Sequence, residues 1–182
     1  PDDETIWMGG TILANPQVKR TIFSLCRADD KDRAPKFKKV CAALGAQGAI
    51  ADLEDETLHP LPLPAVIQKI RELLPQQKFD YIFTHGENGE YGHIRHREIH
   101  QAVTKMMQAR EIICRKIFYF SYNISEEKYE MGENANLIFA IPHNLQKMKK
   151  HLINDIYGFK EGIFESNLCN MPQESFYVGE FS

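Results

Sequence analysis

The chain has 182 residues, 43% hydrophobic and 26% charged, an ordinary globular balance with enough length for one domain with a core. Its formal net charge of -3 and scattered basic residues, apart from a local cluster at Lys147, Lys149 and Lys150, exclude the electrostatic footprint of a nucleic-acid binder. Cys26, Cys41, Cys114 and Cys169 lie far apart with no C-x-x-C spacing, which suits reduced thiols in the cytoplasm, and no apolar run reaches the length of a membrane span.

Thr21 to Cys26 is β-branched and apolar and reads as a strand; a charged stretch from Arg27 to Arg33 leads into a helix from Ala34 to Leu44, stopped at Gly45. Gly48 to Leu53 is a second short strand. After the punctuation of Pro60, Pro62 and Pro64, Val66, Ile67, Ile70, Leu73 and Leu74 recur at helical spacing. Phe79 to Thr84 is the next strand, followed by a helix from about His93 to Arg110 with Ile99, Val103, Met106 and Met107 on its buried side. Ile117 to Phe120 and Asn136 to Ile141 supply two further strands, and Leu145 to Tyr157 a final amphipathic helix ending at Gly158. This alternation predicts an α/β fold, a Rossmann-like, mostly parallel sheet with helices on both faces in a three-layer sandwich. In such sheets ligands bind beyond the carboxyl ends of strands.

Two segments carry chemistry. The chain opens on Pro1-Asp2-Asp3-Glu4, and Thr84 to His96 packs three histidines, two glutamates and a tyrosine around Gly86, Gly89 and Gly92 directly after an apolar strand. Consecutive aspartates before a helix ordinarily serve as caps and dipole partners. Spacings of three and four put His93, His96 and His100 on one helical face, where imidazoles reach a common ion or form a solvated polar stripe. A hard oxygen ligand with imidazoles is a zinc-like set, with Asp3 and His96 the obvious members. Asp2 beside them could take a proton from a bound water, and His93 could donate to a leaving group.

Pro1 to Thr5 resembles the end of the His-Pro-Asp-Asp-Glu motif, and Thr84 to His96 the second motif, of the LmbE-like (PIG-L) family of zinc-dependent N-acetylglucosaminyl deacetylases. Between them, Arg33 through Leu44-Gly45 resembles the family's Arg-led helix, and Leu53 to Leu58 its acidic loop; the likeness spans about the first two thirds of the chain. The resemblance implies Asp3 and His96 as metal ligands, with zinc, or ferrous iron, as the cofactor. It implies Asp2 as general base, His93 as acid or electrostatic partner, Tyr91 polarising the acyl oxygen, and Arg33 and Asp55 holding the sugar. A zinc-bound water would attack the acetamide of an N-acetylated amino sugar, in a small molecule or glycoconjugate, releasing acetate.

The sequence departs from the pattern twice. The family's first zinc ligand is a histidine immediately before Pro1, absent here with the strand that delivers it. Residues 1–182 therefore read as a single deacetylase domain lacking its first strand and first ligand, through an incomplete chain. Arg95 stands where many relatives carry an acidic residue, which lowers the expected charge support for His93. The implied partners are an acetylated amino sugar, no nucleic acid and no membrane, with a homo-oligomer compatible. The rival readings are a non-catalytic sugar- or nucleotide-binding module on the same fold, and hydrolysis of a non-sugar amide.

Overall fold

A computed structural model describes residues 1–125 and 128–179. It is a mixed α/β structure whose chain clusters into two compact units, Pro1–Asp52 with Phe139–Glu174, and Leu53–Ile138 with Ser175–Ser182. Among the described residues no helix is long and apolar enough to cross a membrane.

In the first unit, α1 (Asp3–Ala14), β1 (Thr21–Cys26), α2 (Arg33–Ala43) and β2 (Gln47–Leu53) follow in order, with β1 and β2 paired in a two-stranded sheet. After the return of the chain come α6 (His143–His151), a π-helical segment (Leu152–Tyr157) and α7 (Phe164–Leu168). The core is formed by Ile6, Trp7 and Ile12 of α1, Phe37, Val40 and Cys41 of α2, and Leu152, Ile153 and Tyr157 of the π-helical segment, all buried. The helix foreseen over Leu145 to Tyr157 therefore begins two residues earlier and changes pitch at Leu152, ending at Gly158 with φ 84°. A π pitch is uncommon and concentrates near functional sites.

A buried ion pair ties this unit together. Lys149 Nζ lies 2.8 Å from Glu174 Oε1, with side chains only 1% and 0% exposed. The same carboxylate accepts from Gly10 N–H at 2.7 Å, and from the N–H and hydroxyl of Thr11, both at 2.7 Å. Its close fit requires Gly10, where a Cβ would stand 2.9 Å from Ile141. Lys149, one of the local basic cluster Lys147, Lys149 and Lys150, thus turns inward.

The second unit contains α3 (Leu63–Leu73), β3 (Lys78–Thr84), the single turn α4 (Gly89–Gly92), α5 (Ile94–Gln108), β4 (Ile113–Phe120), β5 (Tyr122–Ile124) and β6 (Tyr129–Met131). β7 (Leu137–Ala140) and β8 (Gln173–Gly179) complete a sheet of order β3-β4-β8-β7. β3 pairs with β4 in parallel, Lys78 opposite Ile113 through Thr84 opposite Tyr119, with α5 as the crossover. β4 pairs with β8 antiparallel, and β5 with β6 antiparallel. The α/β class holds, and the sheet is mixed where a mostly parallel one was expected. β8, β5 and β6 have no counterpart in the sequence reading. β5 and β6 are three residues each, too short to show a period, and β8 opens on the polar Gln173-Glu174-Ser175 and so lacks an apolar alternation. Phe83 and Phe118 stack across the parallel pair, centroids 4.4 Å apart at 10°, with Phe176 of β8 edge-on at 5.5 Å to Phe83. On α5, Val103, Met106 and Met107 are buried as the helical period required.

Lys149→Met leaves the Glu174 charge buried without its cation, and is expected to lower stability by about 3–5 kcal/mol. Adding Glu174→Gln recovers part of that loss, a non-additivity that urea unfolding of the two single variants and the double variant measures.

Candidate active site

The acidic segment occupies the start of α1 in the first unit. Asp2 stands at the N-cap position with φ 92°, but its side chain makes no capping bond. Its backbone carbonyl takes the N–H groups of Thr5 and Ile6, at 2.8 and 2.9 Å, and its carboxylate turns to Arg33, whose Nη1 donates to Oδ2 at 2.6 Å. The ordinary capping role of an aspartate pair is therefore not the one seen. Asp3 Oδ1 accepts the indole N–H of the buried Trp7 at 2.8 Å, and Glu4 Oε1 accepts from the Tyr157 hydroxyl at 2.7 Å. Three successive carboxylates are each held by a different partner. The Arg33 guanidinium lies 4.5 Å from the centroid of Phe159, which fixes its plane while it grips Asp2.

Burial pushes the Asp2 carboxyl up to about 8; Asp3 and Glu4 add repulsion, while Arg33 pulls it down. A carboxyl poised near neutrality is suited to taking and returning protons. Burial likewise raises the Tyr157 hydroxyl, with Glu4 beside it, so Tyr157 stays a hydrogen-bond donor.

The imidazole segment belongs to the second unit and follows β3. Gly86 admits no side chain, because a Cβ there would collide with the Phe120 carbonyl oxygen. Asn88 then pins the turn, its Nδ2 donating to the Tyr122 carbonyl at 2.7 Å and its Oδ1 accepting from Glu90 N–H at 3.2 Å. Glu90 takes φ 60°, ψ −54°, a backbone state that bulky residues avoid unless the surroundings over-determine it. The strain carries the Glu90 side chain inward to 1% exposure. There its Oε2 meets His96 Nδ1 at 2.6 Å and His85 Nδ1 at 2.9 Å, while Oε1 accepts Gly86 N–H at 2.8 Å. Burial alone would raise this carboxyl, but His85 and His96 outweigh it and hold it at about 2.

His85 and His96 are stacked, centroids 3.8 Å apart at 16°, and their ligand-capable nitrogens lie within 4.8 Å of one another. His93 occupies the N-cap position of α5 without a side-chain capping bond, with its ring 4.5 Å from that of His96 and its Nε2 4.0 Å from Asp55 Oδ1. Tyr91, 40% exposed, places its ring 5.5 Å from His93 and 5.4 Å from His96. Of the three histidines on one face of α5, His100 is engaged elsewhere: its Nδ1 is 3.0 Å from the His85 carbonyl oxygen and its ring rests on Tyr119.

Arg95 is 2% exposed and serves the loop before α3. Its guanidinium bonds Glu98 at 2.7 Å, Glu54 at 2.5 Å, the His59 carbonyl at 2.8 Å and the Glu54 carbonyl. Glu98 in turn accepts Leu61 N–H at 2.7 Å. The cation is neutralised by two carboxylates, and the loop it anchors brings Asp55 to His93. The acidic support expected to be missing beside His93 is supplied from another segment.

Of the residues singled out on sequence, Asp2 and Arg33 are joined in the first unit, with the adjacent Asp3 bonded to Trp7 one helical turn along α1. Tyr91, His93, His96 and Asp55 are gathered in the second. Within the second unit the stacked imidazoles suit a divalent cation, because their Nδ1 atoms are tied to a carboxylate and leave Nε2 as the atom able to ligate; within the first unit Asp3 offers an oriented carboxylate of the kind such ions take. Sequence reasoning gave no role to His85 or Glu90. Their signal was a buried-type strand ending directly in a histidine, and a glutamate inside a glycine-rich turn, too generic to read without coordinates.

A family model described as GlcNAc-PI de-N-acetylase, PIG-L, matches residues 1–107. No curated protein gives a significant match. Among solved structures, N,N'-diacetylchitobiose deacetylase from Pyrococcus horikoshii, in complex with its inhibitor MPG, is similar with a TM-score of 0.71 at 16% identity, covering 98% of this chain and 80% of that one. The deacetylase of the pseudoaglycone of the antimicrobial reagent A40926 is similar with a TM-score of 0.60 at 13% identity, covering 100% of this chain and 94% of that one. The 4-carboxy-2-hydroxymuconate hydratase of Pseudomonas putida is similar with a TM-score of 0.62 at 12% identity, covering 92% and 78%. At these identities the likeness is one of fold. The family model spans more than half of the chain and takes in both motif-bearing segments, and the chain belongs to the PIG-L family.

Proposed function

We propose that this chain is a divalent-metal-dependent deacetylase that removes the acetyl group from an N-acetylglucosamine-type amide. The observation that carries this reading is the family match over residues 1–107, which contains both the acidic and the imidazole segments. Asp3 and His96 are the ligands, zinc is the ion the oxygen and imidazole donors suit, and Fe2+ is the alternative. A bound cation acidifies a water and polarises the acyl oxygen.

The chain's own groups do the rest. Asp2, raised by burial and steadied by Arg33, takes the proton as the water oxygen adds to the carbonyl carbon. Tyr91 donates to the acyl oxygen as charge develops there. His93, with Asp55 within 4.0 Å, gives a proton to the nitrogen as the carbon–nitrogen bond breaks, leaving a protonated amine and acetate. Arg33 and Asp55 hold the sugar. Cys26, Cys41, Cys114 and Cys169 are all free thiols, which supports a reducing, cytoplasmic setting. Solved neighbours of this fold include both deacetylases and a hydratase, so fold alone does not decide the reaction.

Acetate release from N-acetylglucosamine, N,N'-diacetylchitobiose and a set of acetylated non-sugar amines tests the reading. Release from the sugars, abolished by chelator and restored by zinc, is the expected result; zinc-independent release or none from any amide overturns it. Asp2→Asn is expected to lower kcat by about 100- to 10,000-fold with zinc content unchanged, read by steady-state kinetics beside metal analysis. Arg95→Met strands Glu98 and frees the loop carrying Asp55. It is expected to cost about 3 kcal/mol and to raise amide exchange across residues 54–61, read by urea unfolding and hydrogen exchange.

A further inference from the structure

We infer that Glu90 is a positioning residue for metal binding: a single buried carboxylate that sets the tautomer and the plane of His96, with His85 as the second ring on the same oxygen. The inference deepens the deacetylase reading and rests on it in one respect, the assignment of His96 as a ligand.

The geometry limits where the protons can be. Glu90 Oε2 is shared by His96 Nδ1 at 2.6 Å and His85 Nδ1 at 2.9 Å, and Oε1 is taken by Gly86 N–H. A protonated carboxyl would donate its O–H to one ring and make that Nδ1 an acceptor, whereas a carboxylate accepts from both rings alike. The arrangement is complete when each Nδ1 carries a hydrogen, which leaves the lone pair of each ring on Nε2. Metal-ligating histidines are ordinarily held by such an outer carboxylate, which fixes the tautomer and makes the ligating nitrogen more basic.

The plane is fixed as well as the proton. His85 stacks on His96 at 3.8 Å and 16°, so the ring of His96 cannot turn about its bond to Glu90 without leaving the stack. The cost of this placement is visible in the backbone, where Glu90 is held at φ 60° by Asn88 and by the glycine at 86. Strain of this kind persists where a side chain must be aimed.

Glu90→Gln separates positioning from packing. Gly86 N–H retains the amide oxygen, so the amide NH2 faces the rings and the Nδ1 atoms become acceptors. The ring protons then move to Nε2, onto the ligating atoms. Two readouts use the full chain with zinc as the only probe. Nitrogen-15 NMR of the histidine rings in metal-free protein is expected to show Nδ1–H for His85 and His96 in the parent and Nε2–H in Glu90→Gln. Competition against a chromophoric chelator is expected to show zinc affinity 10- to 100-fold weaker in the variant. An Nε2–H tautomer for His96 in the parent, or a folded variant with zinc affinity within twofold of the parent, overturns the inference. The parent spectrum alone decides it if the variant does not fold. Failure of acetate release with the tautomers and affinities as expected removes the deacetylase reading and leaves this one standing. Acetate release with unchanged zinc affinity in the variant does the reverse.

Discussion

The imidazole segment is organised around one buried negative charge. Isolated in an apolar interior, a carboxylate costs several kcal/mol, and the cost is offset only by donors that saturate it. Glu90 is saturated by two imidazole nitrogens and a backbone N–H, and the positions of β3, the 86–92 turn and the first turn of α5 follow from that demand. Gly86 must lack a side chain to let the turn pass the Phe120 carbonyl; Asn88 must bond both the Glu90 N–H and the Tyr122 carbonyl; and α5 must start where His96 reaches back. The glycine and asparagine spacing of this segment is thus a consequence of one electrostatic requirement.

The first unit solves the converse problem, three carboxylates in a row. Adjacent like charges raise one another and invite protonation. Distribution of partners keeps them distinct: Arg33 for Asp2, the Trp7 indole for Asp3, and the Tyr157 hydroxyl for Glu4. Because each partner comes from a different element, the carboxylates point in different directions and take different chemical characters. Burial pushes the Asp2 carboxyl up, and the neutral indole N–H of Trp7 orients Asp3. The Glu174 and Lys149 pair then holds α1 itself, through the backbone of Gly10 and Thr11, so the acidic segment is mounted on an anchored helix.

Arg95 illustrates how a local departure is absorbed by a distant segment. A cation three residues along the helix from Glu98 and against Glu54 forms a closed network with the 54–61 loop. That loop supplies the carboxylate near His93. In a family whose pattern puts the acid next to the histidine in sequence, the same electrostatic support here arrives through space.

Element positions were readable from the chain because hydrophobic period and turn residues act locally: Thr21 to Cys26 is a strand as read, and the helices before Gly45 and Gly158 stop there. The acidic pair and the spaced histidines were readable for the same reason, as neighbours within a few residues. Strand direction and sheet order were not, because an apolar strand buried on both faces looks alike whether its neighbour is parallel β3 or antiparallel β8. Nor were the partners of the site residues, Arg33 for Asp2, Glu90 for His85 and His96, Asp55 for His93. A hydrogen bond depends on where two side chains end up in space, and only the folded backbone, strained at Glu90 and closed by the loop on Arg95, decides that.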